Sequence, residues 1–278
     1  MRRSVSRSRG FTILDLLATL GIGVVLTTLA VCVAAESGEA ARRAQCAGHL
    51  NQIGRAMMAY SDTQRNGGFP RGKYNVGAAD KPAMYTAVAA KDPFGADGPV
   101  DDVTAAMYLL MRTTNIAPEA FVCPSTDQKA LTFAAGTTAK DFSNFPNKRC
   151  LSYSLCNPFA GNDALGAGFR WNNTLPPTFA LAGDKNPGGD ALIHLTAASA
   201  AADLRNGNSR NHSQDGQNVL YGDGHVEFTK TPFCGTDQDN IYTYGDSGKT
   251  AGGTGVKGPP MSASDNVLLP TADDDAAK

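Results

Sequence analysis

An uncharged run of twenty residues, Leu16 to Ala35, constrains this chain more than any other segment. It follows four arginines, at positions 2, 3, 7 and 9. An apolar run of about 18 or more residues is long enough to cross a bilayer as a helix, and basic residues before it favour a cytoplasmic N-terminus. The pattern predicts a transmembrane helix over residues 11–35 and an extracytoplasmic body from Glu36 onward.

Three simpler interpretations of this N-terminal segment compete. A secretory signal peptide would end at the small residues 33–35, but its apolar region normally has only about 7 to 15 residues. A lipoprotein signal would use Cys32, but Val31 is bulky where a small residue is needed. A plain membrane anchor explains neither Gly10 nor Asp15. A carboxylate inside a span costs roughly 3 kcal/mol, which indicates a function for Asp15.

Residues 9–17, with the sequence Arg-Gly-Phe-Thr-Ile-Leu-Asp-Leu-Leu, resemble the prepilin signal of type IV pilins and type II secretion pseudopilins. In that family, prepilin peptidase removes a basic leader after the glycine and methylates the new N-terminal residue. The resemblance implies a leader over residues 1–10, cleavage after Gly10 and methylation of Phe11. It also implies that Asp15, where the family normally has glutamate, directs assembly by pairing with the amine of a neighbouring subunit.

Residues 36–62 are predicted to continue the helix, because apolar side chains recur there at spacings of three and four. These side chains are Cys46, Leu50, Ile53, Met57 and Tyr60. Such a stripe is typical of a helix that packs on a sheet. We therefore expect a globular head over residues 63–245, with one face of the helix in its core.

Several head segments look like a large prepilin-type family of unknown function: residues 46–54, 69–70, 121–125 and 212–224. Its signature is a histidine, nine residues, then Asp-Gly, whereas here ten residues separate His212 from Asp223 and Gly224. That family has no established activity to carry over. The resemblance implies an α+β fold, in which a long N-terminal transmembrane helix packs on a small antiparallel, pilin-like sheet with loop-rich insertions.

Strands and turns can be placed along the head from alternating and β-rich runs. The candidate strands cover residues 150–157, 178–184, 217–221 and 225–229. The last two should form a hairpin around Asp223 and Gly224, since Asp-Gly favours tight turns. A short helix should begin after Asp101 or Asp102. Residues 246–278 are dominated by small and polar residues and are predicted to be a flexible tail.

Five of the six cysteines lie outside the predicted span, and an extracytoplasmic location permits disulfides. On one strand, Cys150 and Cys156 would lie about 20 Å apart. That is too far to bridge, because bonded cysteines need Cα atoms within about 7 Å. Each should find another partner, with Cys123 and Cys234 as candidates and Cys46 left in the helix stripe.

Charge and motif spacing argue against several functions. The chain has 25 basic and 26 acidic residues, so no basic excess invites nucleic acid. No spacing of histidine and aspartate matches a zinc helix, a nucleophile elbow or a P-loop, so no catalytic residue is assigned and no enzyme is predicted. His212 is expected to bond the hairpin backbone as a structural residue. Asp237, Asp239 and Asp246 are a possible calcium set, as in major secretion pseudopilins, although their spacing fits no EF-hand.

These patterns predict a membrane-anchored, pseudopilin-like structural subunit or accessory of a type II secretion or type IV pilus-like filament. It would sit in the inner (cytoplasmic) membrane as a single-pass protein, with prepilin peptidase and other pseudopilin or pilin subunits as partners. Apart from the possible calcium, no cofactor is predicted. The alternative is a monomeric cell-surface binding module that uses the prepilin signal only for export.

Overall fold

The computed structural model describes residues 12–76, 82–245 and 252–272, and for residues 26–37 it describes the backbone alone. The chain divides into two compact units, Met1–Ala41 and Arg42–Lys278, each with its own internal contacts. Helix α1 spans Ile13–Asp62 and belongs to both units. The prediction that the helix continues to Asp62 is confirmed.

Asp15 caps the start of α1. Its Oδ2 atom accepts hydrogen bonds from the backbone N–H of Thr12 at 3.0 Å and from the Thr12 hydroxyl at 2.7 Å. A carboxylate in the first turn satisfies an N–H group that has no partner within the helix. These bonds, with the hydroxyl contributing most, lower the pKa of Asp15 below its usual value. The carboxylate is therefore ionised at neutral pH.

Within the residues that the structure describes, no helix is both long enough and apolar enough to cross a membrane. In the predicted span, the described side chains are those of residues 12–25. On this finding, the predictions of a transmembrane helix over residues 11–35 and of a single-pass inner-membrane location are wrong. The leader, with Gly10 and Phe11, lies outside the described residues.

The head contains one antiparallel sheet of five short strands in the order β4-β3-β2-β1-β5. The strands are β1 (Tyr153–Cys156), β2 (Ala180–Asp184), β3 (Gln217–Tyr221), β4 (Val226–Thr229) and β5 (Leu268–Leu269). The α+β class and the small antiparallel sheet agree with expectation. The hairpin between β3 and β4 is confirmed, since Tyr221 and His225 bond across the turn through their backbones.

Three shorter helices accompany the sheet: α2 (Val103–Thr113), α3 (Asn162–Gly166) and α4 (Ala201–Asn206). Asp102 caps α2, because its Oδ1 atom accepts the N–H of Ala105 at 3.0 Å. This cap matches the predicted start of the helix. Residues 103–111 of α2 are buried, so the helix is part of the core rather than a surface element.

The head portion of α1 packs directly against the sheet. Cys46, Leu50, Ile53 and Met57 are fully buried, which confirms the core role of the predicted stripe. Gly54 faces the sheet, and a Cβ atom at this position would lie only 2.7 Å from Leu220 Cδ1 of β3. Glycine at this position therefore permits the close approach of helix and strand.

Part of the predicted flexible tail belongs to the sheet. Strand β5 pairs with β1, and Val267, Leu268 and Leu269 are fully buried. The prediction of a flexible tail is wrong for these residues. Their apolar run is short, and it becomes part of the core by pairing with the distant strand β1. Residues 246–251 and 273–278 lie outside the described residues. Strand β1 is also shorter than predicted, since Lys148–Cys150 forms a 3-10 helix before it.

Candidate functional site

A buried polar centre lies at the end of the central strand β2. Asp184, the last residue of β2, and His212, from the 3-10 helix Arg210–His212, are both fully buried. The Asp184 Oδ2 atom lies 3.3 Å from the His212 Nε2 atom. The strand carries the carboxylate inward, and the 3-10 helix after α4 turns the imidazole toward it.

Two asparagines hold the Asp184 carboxylate in place. Its Oδ2 atom accepts the backbone N–H of Asn218 at 2.6 Å and the side-chain amide of Asn218 at 3.2 Å. Its Oδ1 atom accepts the side-chain amide of Asn211 at 3.0 Å. Each carboxylate oxygen is therefore bonded, as burial of a charged group requires.

The centre also contains a disulfide, between Cys46 of α1 and Cys123, which follows the 3-10 helix Pro118–Phe121. The two Cα atoms are 5.3 Å apart, and the bond closes a separation of 77 residues. Cys123 Sγ lies 3.7 Å from His212 Nε2. Nearby, His49 of α1 contacts the carbonyl oxygen of Val122 at 2.9 Å, which also ties this loop to the helix.

This pairing corrects the cysteine prediction. Cys46 is not left unpaired in the helix stripe, and Cys123 is bonded to it rather than to Cys150 or Cys156. The thiols of Cys150, Cys156 and Cys234 are free. Local spacing favoured strand partners, whereas the partner of Cys123 comes from the helix that covers the sheet.

The three residues of the family signature do not lie together in the structure. His212 is in the buried centre, where its ring contacts the side chains of Asp184, Cys123 and Asn218, the last of these from strand β3 of the hairpin. A bond from His212 to the hairpin backbone stays a prediction. Asp223 and Gly224 lie in the exposed β3–β4 turn. There Asp223 Oδ1 accepts the backbone N–H of His225 at 3.0 Å, and Gly224 has a positive φ of 88°.

Two of the three predicted calcium ligands lie within the described residues, and calcium binding by them stays a prediction. Asp239 is buried, and its Oδ2 atom accepts the backbone N–H of Asn266 at 2.7 Å. Asp237 is exposed with a positive φ of 56°. Asp246 lies outside the described residues. Within the described part of the chain, the candidate metal-binding group is Cys46, Cys123, Asp184 and His212.

A second candidate site is a cleft of about 600 Å³ between the end of α1 and the segment after α3. Three exposed arginines and several aromatic side chains line it. These residues are Arg65, Arg71 and Arg170, with Tyr60, Phe69, Tyr74, Phe169 and Trp171. Among the described residues that line this cleft there is no carboxylate. We call it the arginine cleft, and its charge suits an anionic ligand.

The walls of the arginine cleft are held by side-chain contacts. Trp171 Nε1 donates to the carbonyl oxygen of Pro70 at 2.9 Å, and the Phe69 and Trp171 rings meet edge to face at 5.5 Å. The Arg71 guanidinium lies over the Tyr74 ring, 4.8 Å from its centre. Burial raises the pKa of Tyr74, with the Arg71 charge acting against that rise. The sequence analysis missed this cleft, since its residues are scattered over more than 100 positions.

Comparison with known proteins identifies one relationship. Residues 38–180, just over half of the chain, match the model of a family described as a protein of unknown function, DUF1559. The matched segment contains Cys46 and Cys123, but it ends before His212 and Asp223. No curated protein and no solved structure matches the chain. The chain belongs to the DUF1559 family of proteins of unknown function.

Proposed function

We propose that this protein is a pilin-like structural subunit, whose N-terminal helical segment packs against the same segment of other copies or of related chains. The observation that carries the proposal is the exposure of large apolar side chains over residues 13–25 of α1. They are Ile13, Leu14, Leu16, Leu17, Leu20, Ile22, Val24 and Val25, all more than half exposed.

These side chains surround most of the helix circumference. They occupy eight of the thirteen positions from 13 to 25, and the helix completes a turn every 3.6 residues. A soluble helix normally shows a polar face, and a helix that is apolar on most sides needs a covering surface. A bundle of identical helical segments provides one. Membership of a family whose motifs resemble those of prepilin-type proteins supports this choice, with Gly10 and Phe11 as the processing site for prepilin peptidase.

Asp15 fits this proposal as the residue that orients the bundle. Its carboxylate is ionised and exposed among apolar neighbours, so a cation from an adjacent subunit would stabilise the packed state. The proposal requires neither a catalytic residue nor a cofactor. The disulfide-linked head would then be the part presented on the assembly surface.

Disulfide cross-linking of the full-length chain tests the proposal. Leu17→Cys should give cross-linked dimers on mild oxidation, in a Cys32→Ser background that removes the native thiol of this segment. Gln52→Cys, at an exposed position of the head portion of α1, is the matched control and should stay monomeric. Equal dimer yields from the two variants would contradict packing through residues 13–25.

The arginine cleft favours a second candidate function, a surface module that binds an acidic glycan. Arg65 and Arg71 are exposed, and among the described residues neither forms an ion pair or a side-chain hydrogen bond. Guanidinium groups recognise carboxylates in a bidentate manner, and the half-buried Tyr60 and Tyr74 rings can stack on sugar faces.

Trp171 makes this second function easy to test, because it is the one tryptophan of the chain and it lies in the cleft. Polygalacturonate should change its fluorescence, whereas neutral dextran should not. Arg65→Gln with Arg71→Gln should abolish the change. Arg149→Gln, an equal charge change on an exposed arginine outside the cleft, should preserve it. A response that survives the double substitution would exclude the cleft.

A further inference from the structure

The buried centre holds four potential metal-binding residues, and only two of them form the disulfide. One ligand atom each from Cys46, Cys123, Asp184 and His212 lies within 4.8 Å of every other, and all four residues are buried. They come from α1, the segment after Pro118–Phe121, the end of β2 and the 3-10 helix Arg210–His212. Two sulfurs, one imidazole nitrogen and one carboxylate oxygen are ligands that zinc accepts.

The distances agree with the edges of a tetrahedron around a zinc ion. Zinc bonds of about 2.3 Å to sulfur and about 2.0–2.2 Å to nitrogen or oxygen place neighbouring ligand atoms about 3.3–3.8 Å apart. Cys123 Sγ and His212 Nε2 are 3.7 Å apart, and His212 Nε2 and Asp184 Oδ2 are 3.3 Å apart. The main rearrangement needed is separation of the two sulfurs after the disulfide is reduced.

The surrounding residues already support such a site. Metal-bound carboxylates are normally held by further hydrogen bonds, and Asp184 accepts the amides of Asn211 and Asn218. Asn218 Nδ2 also lies 3.2 Å from His212 Nε2, the proposed ligand atom, so a zinc ion would replace this contact. The Nε2 atom of the imidazole and the Oδ2 atom of the carboxylate already lie 3.3 Å apart before any ion is present.

Once the disulfide is reduced, charge favours a bound cation at this centre. Two thiolates beside the buried Asp184 carboxylate would be three negative charges in a low-dielectric interior, which is strongly unfavourable without a cation. A disulfide removes two of these charges by forming a bond. A zinc ion offsets two of the three while keeping both thiolates.

We propose that, when the head is reduced, Cys46, Cys123, His212 and Asp184 bind one zinc ion, and that oxidation to the disulfide releases it. A dithiol reductant supplies two electrons and two protons, which convert the disulfide to two thiols. The thiols lose two protons as they bind Zn²⁺. In the reverse direction, a disulfide oxidant accepts two electrons and two protons and leaves as two thiols, the Cys46–Cys123 bond forms, and Zn²⁺ departs.

Zinc binding by the full-length chain tests this inference. The chain is reduced with a phosphine, freed of metal with a chelator, incubated anaerobically with Zn²⁺ and desalted. We expect one bound zinc per reduced chain and none per oxidised chain. Cobalt in place of zinc should give the visible absorption of a tetrahedral site with thiolate ligands. Reduced wild-type protein that retains no zinc would overturn the proposal.

Variants identify the ligands. His212→Ala and Asp184→Asn should each weaken zinc binding at least 10-fold, and the circular dichroism of their oxidised forms shows whether the head still folds. Asn218→Ala should weaken binding about 10-fold or more through loss of support to the carboxylate. The matched control replaces the other thiols, at Cys32, Cys150, Cys156 and Cys234, with alanine. Loss of zinc binding in this control would place the metal elsewhere and overturn the assignment.

Discussion

His212 Nε2 lies 3.3 Å from Asp184 Oδ2, and neither side chain has exposed surface. The pair joins the end of the central strand to the 3-10 helix Arg210–His212, on the same side of the sheet as the Cys46–Cys123 disulfide. This fully buried polar pair is thus built from residues that are far apart in the sequence. Its energetic importance can be measured directly.

Removal of the Asp184 carboxylate should strongly destabilise the head. Asp184→Ala removes the carboxylate that accepts the amides of Asn211 and Asn218 and contacts His212, and breaking a buried pair costs about 3–5 kcal/mol. Urea unfolding of the oxidised chain, followed by circular dichroism, measures this loss. Asp62→Ala, at the exposed end of α1, is the control and should change the free energy of unfolding by less than about 0.5 kcal/mol. Similar values for the two variants would contradict a central role for Asp184.

Substitution by alanine should have opposite effects on the stability of the head at two glycines of α1. Gly48 has open space around its missing Cβ, so Gly48→Ala should stabilise the head by about 0.5–1 kcal/mol through helix propensity. Gly54→Ala would push a methyl group against Leu220, and overpacking of a core typically costs about 1–3 kcal/mol. Thermal unfolding of both variants provides the comparison. If Gly54→Ala raises the melting temperature as much as Gly48→Ala, the close helix–strand approach is wrong.

The disulfide should contribute substantially to stability. A cross-link that closes a loop of 77 residues restricts the unfolded chain, and native disulfides typically contribute about 2–4 kcal/mol. Reduction in the presence of a chelator should therefore lower the melting temperature. Cys150→Ser, which removes a free thiol, is the control and should leave the effect of reduction unchanged. Insensitivity of wild-type melting to reduction would argue against the Cys46–Cys123 bond.

The free thiol of Cys234 should react slowly in the native protein. Burial raises its pKa to about 11, so the reactive thiolate is scarce at pH 8 and becomes abundant only as the pH approaches that value. Alkylation by iodoacetamide as a function of pH, with peptide mapping, reports the ionisation. In denaturant the midpoint should fall to about 8.5, the ordinary value for cysteine. A native midpoint below 9 would contradict the raised pKa of this thiol.

Local sequence patterns predicted those elements that are determined by residues adjacent in the sequence. The end of α1 at Asp62, the Asp102 cap of α2 and the hairpin at Asp223–Gly224 each depend on neighbouring residues, and all three are present. The predictions were weaker where structure depends on distant pairing. Strand β5 has only two residues and exists through its bonds to β1, so no periodicity could indicate it.

In the candidate sites too, local sequence signals indicate some residues, whereas the contacts between distant residues cannot be predicted. Cys46 and Cys123 were both recognised as cysteines of interest, but their pairing depends on how the helix lies on the sheet. A family signature singles out His212, and Asp184 is one of several aspartates that could accompany the histidines, but no local spacing pairs these two residues. The arginine cleft could not be predicted, because Arg65 and Arg170 come together through long-range contacts such as the one between residues 68 and 172.

The most direct test of the proposed assembly combines the Leu17→Cys cross-link with variants of Asp15. The Thr12 hydroxyl and N–H bonds keep the Asp15 carboxylate ionised, so it can pair with a cation on a neighbouring subunit. Asp15→Ala should leave cleavage after Gly10 intact but reduce cross-linked dimer at least several-fold, whereas Asp15→Glu should preserve it. Equal dimer yields from wild type, Asp15→Ala and Asp15→Glu would contradict the assignment of Asp15 to subunit assembly.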